Sequence, residues 1–328
     1  MSDRLLFLER YLMENTDEES TVSTKEILDA YQTHGLGGNR NIVPADIEKL
    51  REAGIEVSIR KEGKAHCYHI AKRPFSTTEL RTLIDAVSSS YFITKEKSDE
   101  LIQQIAALAV KQKRDSMTAK TFTADRIKTD APDIFSTIEC IHNAIVREKK
   151  IAFQYIQYTP NREVTLRHNG KVYQVSPMAM IWENRRYYAR CIDPEKPNPV
   201  NYRIDRMRNV RIVEETAMKE PGFNPSEYAN KVCNMFDGGK DAEDIVLLAE
   251  NDRMINIIDR FGESSRTEIA DEGHFRATVN TVTSETFFAW LFEFGDSILV
   301  ESPAHVREAY EEQMRKTLEK QKELSAKL

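Results

Sequence analysis

The sequence has little cysteine: four residues in 328, Cys67, Cys140, Cys191 and Cys233, with no C-x-x-C pair. Scattered single thiols supply no disulfide framework and fit a reducing compartment, so a cytoplasmic location is expected. Cys67 and His69 stand two apart, but a lone C-x-H without further ligands is more often structural than a metal site. No apolar run approaches the ~20 residues that a membrane span needs. The opening Met1-Ser2-Asp3-Arg4 lacks the basic-then-apolar order of a secretory signal. G-x-S-x-G, the P-loop, H-E-x-x-H and a G-x-G-x-x-G after a strand are all missing. Asp193 and Asp205 are the one carboxylate pair to weigh as acid and base, and Arg203 and Arg206 beside Asp205 favour an ion pair instead. No catalytic residue, metal or cofactor is therefore expected.

What is present suits a globular chain: 40% hydrophobic and 30% charged residues. The net charge of −6 is unevenly spread. Residues 140–213 hold 14 Lys and Arg against 6 Asp and Glu, a surplus of 8 positive charges that leaves −14 for the rest. Positive charge concentrated in an acidic protein implies a local anionic partner. A solvated surface is the other reading, and charge alone does not separate the two.

The hydrophobic period changes along the chain. Leu5, Leu8 and Leu12 fall at helical spacing, and Ser23-Thr24-Lys25-Glu26 is a capping box that opens a second helix. A third helix follows through Asp46, Ile47 and Leu50; Pro44, which fits only a first turn, places its start near Asn41. Val57–Ile59 and Cys67–Ile70 flank a turn at Glu62-Gly63 and read as a hairpin. Three short helices and a hairpin make a winged helix-turn-helix. Residues 74–139 read as a helical linker, opened by the capping box Ser76-Thr77-Thr78-Glu79.

At Ile151 the period becomes two. Ile151, Phe153 and Tyr155 alternate, Asn169-Gly170 reads as a hairpin turn before Val172, and strands are expected at 187–192, 201–204 and 210–213. Short antiparallel strands with little helix between them suggest a small barrel. Residues two apart share a strand face, so Tyr188 is expected beside Arg190 and Arg203 beside Asp205. Tyrosine stacks on bases and arginine forks phosphate; alternatively the tyrosines are core and the arginines pair with acids. From residue 244 the order βαββαβ predicts a ferredoxin-like unit.

Val175-Ser176-Pro177, Trp182, Tyr187-Tyr188-Ala189 and Tyr202-Arg203-Ile204-Asp205-Arg206-Met207 together resemble a WYL domain, with Ile141 to Tyr155 resembling its opening helix and strand. Alanine replaces the eponymous leucine at Ala189, and Arg185-Arg186 occupy a turn that is often polar or acidic in the family. Arg73-Pro74-Phe75 and Glu79-Leu80 resemble the family's linker. Met235-Phe236, Ile258–Gly262, Trp290-Leu291 and Ser302-Pro303 resemble its C-terminal extension. Asn39–Ile47 resembles its DNA-recognition segment, with Pro44 and Ala45 where an aromatic residue and an arginine are usual.

The resemblance implies an α+β chain. Its parts are a winged helix-turn-helix (1–73), a helical linker (74–139), an Sm/SH3-like WYL β-barrel (140–213) and a ferredoxin-like extension that dimerises (214–328). It implies a regulator that binds operator DNA and senses an anionic effector, such as single-stranded DNA or a nucleotide, as a homodimer without a membrane partner. The expected DNA contacts are Asn39, Arg40, Asn41, Lys49, Arg51, Arg60, Lys61 and Lys64. The expected ligand contacts are Tyr155, Ser176, Arg185, Arg186, Tyr188, Arg190, Arg203, Asp205 and Arg206. Residues 1–73 carry 11 basic against 13 acidic residues, an uncommon balance for a duplex reader. The alternative is therefore a single-strand or nucleotide sensor that acts through protein contacts, with a winged helix that no longer reads DNA.

Overall fold

The computed structural model describes residues 3–63, 65–118, 128–129, 131, 133–232, 235–236, 240–263 and 265–327. They form two compact units, Met1–Asp130 and Ala131–Leu328. Lys64, one of the expected DNA contacts, lies outside the described residues.

The first unit begins α1 (Asp3–Asn15), β1 (Val22–Ser23), α2 (Thr24–Thr33), α3 (Ile42–Glu52), β2 (Val57–Glu62) and β3 (Ala65–Ile70), with the strands in the antiparallel order β1-β3-β2. This is a winged helix-turn-helix. The Ser23 hydroxyl accepts the Glu26 amide and the Glu26 carboxylate accepts the Ser23 amide, so the capping box forms. In α3, Asn41 is the N-cap and Pro44 the third helical residue, where an amide has no intrahelical partner to lose.

The core holds Leu8, Leu12, Ile27, Tyr31, Val43, Ile47, Leu50, Tyr68 and Ile70. One charge is sealed within it. Asp46 is fully buried and accepts Arg4 Nε at 2.6 Å, Arg4 Nη2 at 3.0 Å and the Tyr31 hydroxyl at 3.1 Å. Burial, reinforced by the Asp46 carboxylate, pushes the Tyr31 hydroxyl well above its usual range.

The helices α4 (Thr77–Ser89), α5 (Lys95–Ala107) and α6 (Lys111–Thr118) follow, α4 opened by the Ser76–Glu79 capping box. Arg73 fastens them to the winged helix by donating to the carbonyls of Met13, Thr16 and Leu108 at 2.7–2.9 Å. Asp17 adds a second tie. Burial opposes its charge, but Lys113 at 2.8 Å and the amides of Ser20 and Glu19 outweigh that, and its carboxyl sits below the usual range. A lowered folded value means stabilisation that is complete above the unfolded value of about 3.9 and lost as pH falls through the folded one. Asp17→Asn should cost about 2 kcal/mol at pH 7 and progressively less as pH is lowered below the unfolded value, as urea unfolding across an acid pH series will show.

The second unit opens with α7 (Ile134–Val146) and continues through β4 (Lys149–Tyr158), β5 (Val164–Leu166), β6 (Val172–Glu183), β7 (Arg186–Ile192), β8 (Val200–Arg203) and β9 (Met207–Thr216). The sheet runs β5-β4-β6-β7-β8, and a 3-10 turn at Ile204–Arg206 leads back into β9 on β4. Strands β5 and β6 each pair with β4 and not with each other. Asn169-Gly170 is thus a corner between them rather than a hairpin turn. His168, Asn169 and Gly170 all have positive φ (50°, 56° and 82°), so the chain passes from β5 to β6, both antiparallel to β4, through three left-handed residues. Phe153, Tyr155, Tyr173 and Tyr202 stack edge and face in the interior, with ring centroids 5.1–6.4 Å apart.

The chain then forms α8 (Pro225–Lys231), β10 (Ala242–Glu250), α9 (Met254–Phe261), β11 (Arg266–Ile269), β12 (His274–Val282), α10 (Glu285–Phe292), β13 (Ile298–Ser302) and α11 (Ala304–Ser325). The antiparallel order β11-β12-β10-β13 is ferredoxin-like. Alternate residues Ile245, Leu247 and Ala249 pack with Phe275, Ala277 and Val279 beneath Ile257, Phe287, Leu291 and Val306. Among the described residues no helix is long and apolar enough to cross a membrane.

Candidate anion-binding site

The basic segment spends much of its charge locally. Lys149 and Lys150 pair with Glu214 (3.4 Å) and Glu215 (2.7 Å), both just beyond the segment's end, and Lys171 pairs with Glu195. Lys150 and Lys171 line a cleft of about 160 Å³ with Tyr173, Gln174, Asp193 and Glu195, so its positive charge is already matched.

A denser cluster forms where β7, β8 and the 3-10 turn meet. Asp205 is only 5% exposed, yet it accepts Arg203 Nη2 at 2.6 Å, Arg203 Nε at 3.1 Å and Arg186 Nη1 at 3.2 Å. The two guanidiniums keep 21% and 29% of their side-chain surface exposed. The acid is thus more deeply buried than the two arginines it holds, and it fixes their placement in the sheet. Burial works against the Arg203 charge, and the Asp205 carboxylate more than restores it.

Strand register brings further residues here. Tyr188 is directly opposite Arg203, and the Arg203 amide donates to the Tyr155 hydroxyl at 3.1 Å. Tyr155 is itself core, its ring 7% exposed among the other aromatics and its hydroxyl pushed up by burial. Arg206, half-buried in the same turn, lies close enough to Tyr155 to favour its ionised form. Arg185 sits in the two-residue turn between β6 and β7, where Asn184 and Arg185 both have positive φ (48° and 63°). The arrangement can hold a phosphate or carboxylate against Arg186 and Arg203.

Two expected contacts lie apart from this cluster. Ser176 is fully buried, its hydroxyl accepting the Met218 amide at 2.9 Å. Arg190 is 6% exposed; it stacks 4.2 Å from the Tyr228 ring centroid and donates to the Tyr228 hydroxyl at 2.9 Å, sharing it with Asn201 Nδ2 at 2.6 Å. Arg190 thus anchors α8 to the sheet. Sequence reading missed Tyr228 and Asn201, although Asn224-Pro225 carries the N-cap and first-turn proline signal of the helix that delivers Tyr228. Asp205 shares a site with Arg203 for a different reason than strand alternation: β8 ends at Arg203, and the 3-10 turn curls Asp205 back. Asp193 is engaged separately from Asp205, accepting the Tyr202 hydroxyl at 2.7 Å and the Glu195 amide at 3.0 Å.

On the winged helix, Arg40, Lys49 and Lys61 are exposed. The Asn39 side chain accepts the Asn41 amide at 3.0 Å, and Asn41 caps α3 through its backbone only. Arg51 Nε donates to the Val57 carbonyl at 2.8 Å, and Arg60 donates to the Glu18 carbonyl at 3.2 Å. Both of these arginines serve the fold first.

The WYL domain family matches residues 136–212, and the WCX domain family matches residues 241–318. No curated protein matches the chain. Among solved structures, Proteasome accessory factor B/C (PafBC) of Arthrobacter aurescens is similar at 16% identity over 94% of this chain, with a TM-score of 0.28. This chain spans 47% of that structure, about half its length. A structure described as a CRISPR Cas-related protein is similar at 11% identity, over 75% of this chain and 72% of its own length, with a TM-score of 0.37. The chain therefore carries a WYL domain, which contains the Arg186–Asp205–Arg203 cluster, and a WCX domain after it.

Proposed function

We propose that the protein is a DNA-binding transcriptional regulator whose WYL domain senses an anionic ligand, a nucleic acid or nucleotide, and that it works as a homodimer. The observation that carries this reading is the presence on one chain of a winged helix-turn-helix and a WYL sheet in which a buried acid binds two partly exposed arginines. Arg186, Arg203 and Arg206 supply charge for the ligand, and Tyr188 offers a ring beside them. Arg40, Lys49 and Lys61 supply the exposed charge for duplex backbone.

The test is duplex affinity across a salt series. Arg40→Ala, Lys49→Ala and Lys61→Ala combined should lower affinity about tenfold or more and flatten the log–log salt slope by about 3. Unchanged affinity and slope would contradict DNA binding through this face. A second reading has its own support: Glu48 and Glu52 are exposed on α3 and Arg51 is turned to the Val57 carbonyl. On that reading the WYL domain senses a single strand or nucleotide and the winged helix serves protein contacts. It predicts that the triple variant behaves as the parent chain.

A further inference from the structure

The outward face of α3 is short of cations. Val43, Asp46, Ile47 and Leu50 turn into the core, which leaves Pro44, Ala45, Glu48, Lys49 and Glu52 exposed. Arg51 lies at the edge with its guanidinium engaged. Its Nε holds the Val57 carbonyl at the start of β2, and its Nη1 lies 3.2 Å from Glu48 Oε2. The Glu48 side chain is 62% exposed. The second helix of a helix-turn-helix is the one that enters the major groove. Here it carries a carboxylate in mid-face, next to the Ala45 methyl, with an arginine steering it from the side.

Facing phosphate, such a carboxylate only repels. Facing base edges it discriminates. Cytosine offers its N4 amine in the major groove, whereas guanine offers only acceptors, thymine an acceptor and a methyl, and adenine an amine beside the N7 acceptor. A carboxylate is satisfied by cytosine, opposed by the acceptors of guanine and thymine, and at adenine meets the N7 acceptor beside the amine. As a structural ion pair, Glu48–Arg51 counts for little, because exposed i,i+3 pairs add little to helix stability.

We propose that Glu48 is a specificity residue that accepts a hydrogen bond from cytosine N4 in the major groove, with Arg51 as the positioning residue that holds it there. The inference rests on the DNA-binding reading above and adds the chemistry of the base recognised.

The test uses the full-length chain and selection from a pool of duplexes with a randomised central segment. The parent chain should enrich sites with cytosine at one position, preferred about tenfold over the other bases. Glu48→Gln should move that position to adenine, whose N6 and N7 pair with an amide. Glu48→Ala should lose the preference there while binding unselected duplex at least as tightly, since a negative charge facing the phosphates has gone. Equal thermal melts will show that the exposed substitutions leave the fold intact. If the parent chain selects sites and both variants select the same ones, Glu48 does not read a base and the proposal is wrong. If the parent chain retains no duplex, the DNA-binding reading fails and the proposal fails with it.

Discussion

Replacing Arg4 by alanine should destabilise the N-terminal unit by about 3–5 kcal/mol, far more than a substitution elsewhere on its surface. The reason is what it leaves behind. Asp46 is fully buried between α1 and α3, and Arg4 is the cation that meets both of its oxygens. Without Arg4, the carboxylate keeps, among the described residues, the Tyr31 hydroxyl at 3.1 Å, and a buried charge lacking its counter-ion costs several kcal/mol. Asp46→Asn in the same chain removes the stranded charge, so the double variant Arg4→Ala/Asp46→Asn should regain a good part of the loss. Urea unfolding followed by helical circular dichroism measures both. An Arg4→Ala variant as stable as the parent would show that the bidentate pair contributes nothing to the unit.

The second large effect is expected at the anion cluster. Asp205→Ala removes the acceptor that two half-buried guanidiniums share and loosens their placement. Presented forks bind anions because their geometry is set before the ligand arrives. Loss of Asp205 should therefore weaken anion binding about threefold or more, even though it removes a nearby negative charge. The competing effect has a definite size. A unit charge ~7 Å from the ligand at an effective dielectric near 40 contributes about 1 kcal/mol, and salt reduces it further. Two charge-assisted contacts at about 1.5–3 kcal/mol each depend on the fixed forks. Orientation outweighs charge on these magnitudes. Tighter binding by Asp205→Ala would mean instead that Asp205 competes with the ligand for the arginines.

Legibility from sequence followed the range of the interaction concerned. Ser23–Glu26 and Ser76–Glu79 are contacts between residues three apart, and both capping boxes form as read. The ferredoxin-like order was equally visible, because its strands alternate and its helices α9 and α10 are followed by Gly262 and Gly295. The corner at Asn169-Gly170 was misread because two-residue turn chemistry says nothing about which strands flank it. The candidate site divided in the same way. Arg203 and Asp205, two apart, could be placed together, although a 3-10 turn rather than strand alternation unites them. Arg186 joining them across 19 residues, and Tyr228 covering Arg190 across 38, are products of the fold that no local pattern encodes. The surplus of positive charge was partly an effect of where the segment was cut, since Glu214 and Glu215 lie just past its end.

The central claim is that the WYL domain holds an anion on Arg186 and Arg203. The direct measurement is fluorescence anisotropy of a labelled ten-residue oligothymidylate with the full-length chain, compared with Arg186→Ala/Arg203→Ala. The parent chain should bind the oligonucleotide with an affinity that falls as salt rises, and the double variant should bind at least tenfold more weakly with a shallower salt slope. Equal binding by the two proteins, at equal slope, would contradict it.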